Sequence, residues 1–113
     1  MQIAFSGGGH MTTGLVGGLR SGGVPPDTII VADPLEVART RLVGEFGVRC
    51  TADNVAAIRD AEVVVLAVKP QDMATVALGL APALAARRRV VISVAAGIRI
   101  PDLARWLGPL TPI

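Results

Sequence analysis

Apolar runs rich in β-branched residues recur at residues 3–5, 28–31, 63–68 and 90–94, and helix-patterned stretches separate them. This alternation predicts a parallel α/β sheet. Strands covered on both faces read as unbroken Val and Ile runs, and Val63-Val64-Val65-Leu66-Ala67-Val68 is the clearest instance. A weaker strand is expected over 48–51. The first helix is expected over 11–21, with Met11, Leu15 and Leu19 on one face and Gly22-Gly23 ending it. A second, over 35–46, carries Leu35, Ala38, Leu42 and Phe46 inward and Glu36, Arg39, Arg41 and Glu45 outward, with Gly47 as a left-handed cap. Further helices are expected over 53–59, over 73–86 with a break or tightening at Pro82, and over 100–107.

Between the first strand and the first helix lies Ser6-Gly7-Gly8-Gly9-His10-Met11-Thr12. A glycine turn placed there reads as a phosphate cradle, because the first helical turn has unpaired N–H groups and the positive end of the helix dipole. Gly7 permits the tight turn, and Gly9 lets a pyrophosphate approach the main chain without meeting a Cβ. Thr12 stands where the dinucleotide fingerprint has Gly or Ala, so its branched side chain is expected to push helix and strand apart. Taken alone, the glycines serve equally well as a flexible turn.

Asp33 ends the second strand, about 20 residues beyond the turn, where a carboxylate can accept hydrogen bonds from ribose hydroxyls. Its charge would repel a 2′-phosphate: two unit charges about 4 Å apart interact by roughly 4 kcal/mol at an effective dielectric near 20. Arg39 is the nearest candidate to neutralise it. Asp33-Pro34 also reads simply as a helix cap followed by a first-turn proline. Strand, glycine turn, helix, strand and acid in succession predict a Rossmann-type fold: a doubly wound, three-layer parallel sheet with a dinucleotide site. One domain over 1–113 is expected, stopping near the start of a sixth strand at Leu110-Thr111-Pro112-Ile113. A sheet ending there would expose an edge on the strand over 90–94, and pairing of two copies through that edge is one expectation.

Composition narrows the function. The 113 residues are 51% apolar with a net charge of +2, and they include only Phe5, Phe46 and Trp106 as aromatics. That combination argues for a folded domain and against nucleic acid, which needs a basic stripe with stacking rings. Arg87-Arg88-Arg89 is read as a solvated helix end. Cys50 is the one cysteine, so there is no internal disulfide and no cysteine metal cluster; a buried thiol is expected. The absence of a basic leader and of any apolar run near 20 residues points to a cytoplasmic location away from membranes. Gly14, Gly17 and Gly18 inside the first helix are explained by close packing on the sheet or by a Gly- and Ala-rich composition.

Several separated motifs resemble the pyrroline-5-carboxylate reductase family. Phe5-Ser6-Gly7-Gly8-Gly9-His10-Met11 is similar to that family's F-I-G-x-G-N-M, and Gly17-Gly18-Leu19 continues it. Thr51-Ala52-Asp53-Asn54, Val64 to Gln71 (V-V-L-A-V-K-P-Q) and Ser93-Val94-Ala95-Ala96-Gly97-Ile98 resemble further family segments, and A-V-K-P is the most specific. The resemblance implies a cofactor, NADP or NAD, with Gly7, Gly9, His10, Met11 and Thr12 around its pyrophosphate. Asp33 and Pro34 would face the adenosine ribose, and Asn54 would reach in from the loop after the third strand. Ala67, Val68, Lys69 and Pro70, with Ala95 and Ala96, would line the nicotinamide side; Lys69 reads equally as a solvent-facing loop lysine. His10 replaces the family's Asn and is either a neutral hydrogen-bonding group or a passive loop residue.

The family continues into a helical second domain that makes the dimer, binds substrate and supplies a catalytic hydroxyl. Nothing in these residues matches it, so no catalytic residue is assigned and a small-molecule substrate is expected only with that domain. NAD against NADP stays open. A free-standing NAD(P)-binding regulatory module and the first domain of a related reductase are the competing readings.

Overall fold

A computed structural model describes residues 1–94. The strands are β1 (Ile3–Ser6), β2 (Ile29–Ala32), β3 (Arg49–Thr51), β4 (Val63–Leu66) and β5 (Val90–Ser93). The helices are α1 (His10–Ser21), α2 (Glu36–Phe46), α3 (Asn54–Ile58) and α4 (Pro70–Ala85). All strand pairs are parallel, in the order β3-β2-β1-β4-β5. Register aligns Ser6 with Ala32 on one side and with Leu66 on the other, so the carboxyl ends of the strands finish level. The chain steps outward from β1 to β3, then crosses back to β4 beside β1. That reversal opens a crevice outside the strand ends, the place where open α/β sheets bind ligands.

Successive strand residues feed opposite layers, as the pleat requires. Ala4, Val64, Leu66 and Val91 pack with Ile58 of α3 and with Met73, Ala77, Leu80 and Leu84 of α4. Phe5, Val31 and Val65 pack on the other face with Val16 of α1 and Leu42 of α2. Beside α1 on that second face, an apolar groove of about 500 Å³ runs between Leu15, Leu19, Val63, Val65, Ile92 and Val94. Among the described residues, no helix is long and apolar enough to cross a membrane, and no cluster of metal-ligating side chains occurs.

The sequence expectations need correcting in several places. The buried line of α1 is Thr12 and Val16, while Met11 and Leu15 are exposed. Helix α2 starts at Glu36, so Leu35 is an exposed cap residue with extended backbone, and Pro34 stands outside the helix. Helix α4 starts at Pro70, earlier than expected: proline suits a first helical position, where its missing N–H costs nothing. It also runs through Pro82 without a break. The arginine run is more than a solvated end: Arg89 is buried and donates to the Ile58 carbonyl at 2.8 Å, and Arg87 reaches the Ala61 carbonyl at 3.2 Å. Together they pin the end of α3 to the start of β5. Cys50 is half-buried on β3, and burial pushes its thiol up from the ordinary value. The expected helix over 100–107 and the start of a sixth strand lie outside the described residues.

Candidate functional site

The crevice at the strand ends is a cleft of about 680 Å³ between the glycine turn, the β2–α2 connection and the β4–α4 connection. That volume falls in the range of small-molecule and cofactor pockets. Gly7 lines the cleft, and position 7 requires glycine for two reasons. Its φ is +102°, and a Cβ there would stand 2.7 Å from the Ala67 carbonyl oxygen. Gly9 is the opposite case, because a Cβ on it would meet no protein atom within 4 Å. Space over the main chain at Gly9 is therefore open toward the cleft, as a phosphate cradle needs.

The turn is braced at every peptide. Gly7 N–H donates to the Ala32 carbonyl at 2.7 Å, and Gly8 N–H donates to Asp33 Oδ2 at 2.8 Å. The three glycine carbonyls are also taken: the Thr12 hydroxyl donates to Gly7 O, Arg41 Nη2 to Gly8 O at 3.1 Å, and Thr13 Oγ1 to Gly9 O at 2.9 Å. The first intrahelical bond of α1 runs from Thr13 N to Gly9 O, which leaves the amides of His10, Met11 and Thr12 ahead of it. Each glycine carbonyl is thus held by a side-chain donor, while the first amides of α1 have no intrahelical partner.

Thr12 is completely buried and ties α1 to the turn through its hydroxyl. Its side chain does not line the cleft. Thr12→Val should cost about 1–2 kcal/mol, because the Gly7 carbonyl loses its buried partner; urea unfolding will measure it.

Asp33 lines the cleft, half-buried. Both carboxylate oxygens already accept backbone N–H groups, Oδ2 from Gly8 and Oδ1 from Leu35 at 2.8 Å. Arg39, expected to neutralise it, instead donates to the Asp33 main-chain carbonyl at 2.8 Å. Arg41, expected to point outward, is half-buried, lines the cleft and reaches across to α1, with Nη1 3.0 Å from Thr13 Oγ1. Periodicity missed it, because a long side chain can leave its own helix face for an acceptor on the neighbouring helix.

Asn54 is the first residue of α3, which Asp53 caps by accepting from Val55 N and Ala56 N at 2.9 and 3.3 Å. The buried Ser6 hydroxyl donates to Asn54 Oδ1 at 2.7 Å, and Asn54 lines the cleft. Pro34, Ala67, Val68 and Lys69 line the cleft as well. His10, Met11 and Pro70 do not: the first two project from the exposed start of α1, and Pro70 opens α4. Ala95 and Ala96 lie outside the described residues. Gly8 was missed as a site residue, although its N–H and carbonyl are the points at which Asp33 and Arg41 hold the turn.

A family model described as NADP oxidoreductase coenzyme F420-dependent matches residues 2–97, most of the chain. The chain belongs to this family. The pyrroline-5-carboxylate reductase of Pseudomonas aeruginosa is 45% identical over 112 residues, covering 99% of this chain and 41% of the relative. That of Vibrio alginolyticus is 45% identical over 102 residues, covering 90% of this chain and 37% of its own. The solved pyrroline-5-carboxylate reductase of Coxiella burnetii superposes with a TM-score of 0.92 at 36% identity, covering 95% of this chain and 40% of that one. The chain therefore spans about two fifths of the length of these relatives. Their common part is the Rossmann-type α/β fold described above.

Proposed function

We propose that this chain is the cofactor-binding part of a pyrroline-5-carboxylate reductase, holding NADPH or NADH for the reduction of 1-pyrroline-5-carboxylate to proline. The observation that carries the reading is the glycine turn: a carbonyl-braced cradle, open over Gly9, at the switch point of the sheet. The amides of His10 and Met11 would receive the pyrophosphate, Asp33 would accept from the adenosine ribose, and Asn54 would donate across the cleft. Ala67, Val68 and Lys69 at the end of β4 would border the nicotinamide, with Ala95 and Ala96 beyond them. When bound, the reduced nicotinamide supplies a hydride to the C=N carbon of the substrate. The described residues orient the cofactor and keep its phosphates on the turn; orientation is the protein's contribution to such chemistry.

The relatives are more than twice as long as this chain, so substrate contacts, the proton donor and subunit assembly are assigned to sequence beyond the part they share. Calorimetric titration of the chain with NADPH and with NADH should show binding of one equivalent, while proline formation by the chain alone should be negligible. Titration without heat or saturation for either cofactor sinks the reading. A single half-exposed thiol and the cofactor chemistry fit a reducing, cytoplasmic setting.

A further inference from the structure

The cleft has two cations on its wall, on opposite sides. Lys69 stands at the β4–α4 connection, and Arg41 stands on α2, on the same side as Asp33. The acid at the end of the second strand marks the adenosine side of a dinucleotide cleft. Arg41 is therefore the cleft-lining cation of the adenosine side, Arg39 being held on the Asp33 main-chain carbonyl and absent from the lining.

Asp33 and Arg41 hold the same residue from its two polar ends: the carboxylate takes Gly8 N–H, and the guanidinium donates to Gly8 O. No ion pair involves the Asp33 carboxylate among the described residues. Its charge would oppose a phosphate on the neighbouring ribose unless a cation stood beside that phosphate. Arg41 brings one, and only two of the guanidinium's five donors are committed, to Thr13 and Gly8. A planar guanidinium with free donors is the side chain best matched to a phosphate.

Resting on the proposed cofactor reading, we propose that Arg41 is a specificity-determining residue that offsets Asp33 and lets the cleft accept a 2′-phosphorylated adenosine ribose alongside the plain one. NADPH binding depends on its charge more steeply than NADH binding does.

The test is titration of the wild-type chain, Arg41→Ala and Arg41→Lys with NADPH, NADH, and the half-ligands adenosine 2′,5′-bisphosphate and AMP. Arg41→Ala removes a brace of the turn that both cofactors share, so all four ligands should weaken, but NADPH and the bisphosphate should lose about tenfold or more beyond the loss of NADH and AMP, a difference of about 1.4 kcal/mol. Arg41→Lys should recover part of the bisphosphate affinity, since a charge without the planar fork is restored. Equal losses for phosphorylated and plain ligands would show that Arg41 only braces the turn, and would overturn the proposal. Unchanged affinities overturn it as well. If the wild-type chain binds neither cofactor, the cofactor reading itself fails; if it binds both and the variants show no 2′-phosphate selectivity, only the Arg41 assignment fails. Thermal unfolding of each variant shows whether it is folded, and Arg41→Lys carries the comparison if Arg41→Ala is not.

Discussion

Gly7→Ala should destabilise the fold by roughly 3 kcal/mol or more and abolish measurable cofactor binding, whereas Gly9→Ala should leave stability within about 1 kcal/mol. The two glycines sit a residue apart and fail for different reasons. At Gly7 the φ of +102° already disfavours an L side chain, and the new methyl would also stand 2.7 Å from Ala67 O and 2.9 Å from Ala67 C. Those are backbone atoms at the end of β4, held by the Ala67 N–H to Ser6 carbonyl bond of 2.8 Å, so relief requires moving a strand. Gly9 has a φ of −82° and open space where the methyl would go. Its alanine should fold normally yet bind cofactor about tenfold or more weakly, because the methyl occupies the approach to the amides. Chemical unfolding and calorimetry on the pair decide the matter: equal stability of the two variants would refute the geometric account of Gly7, and full affinity of Gly9→Ala would refute the cradle.

Asp33→Ala should lower stability by about 2 kcal/mol and weaken both cofactors, since two main-chain donors, Gly8 N–H and Leu35 N–H, lose their acceptor together. Asp33→Asn separates that brace from the charge. One amide oxygen still serves one of the two donors, and the negative charge is gone. NADPH should therefore gain on NADH by about tenfold in Asp33→Asn, a fraction of the full Coulomb figure because the carboxylate is half-exposed and screened. Parallel titrations read the ratio. A ratio unchanged from wild type would mean that the carboxylate serves the turn alone and takes no part in choosing between cofactors.

Much of this architecture could be read from residue types. The Val-rich runs placed every described strand to within a residue or two, and the glycine turn and Asp33 meet in one cleft as their spacing implied. What periodicity could not resolve was α1, where Met11-Leu15-Leu19 and Thr12-Val16 are adjacent lines of the same helix. Interior glycines carry no side chain to separate the lines, and the winning line begins with a polar residue whose hydroxyl has a buried acceptor. The failure at Leu35 has a local cause: Asp33 Oδ1 takes the Leu35 N–H, so the chain turns once more before α2 begins. Arg41 was hidden because charge placed it on the solvent side, and no pattern in α2 announces an acceptor on a different element. A motif match weighs the third fingerprint position by size, whereas Thr12 satisfies it with a donor.

The bracing of the turn also bears on rates. With Gly7, Gly8 and Gly9 each tied at the carbonyl by a side chain, and Gly7 and Gly8 tied at the amide as well, the loop proposed to receive the phosphates has little to rearrange on encounter. Capture should then follow a single bimolecular step whose observed rate rises linearly with cofactor concentration, without the plateau that a slow loop-ordering step imposes. Differences in affinity among variants that keep the turn intact would accordingly reside in how long the cofactor stays.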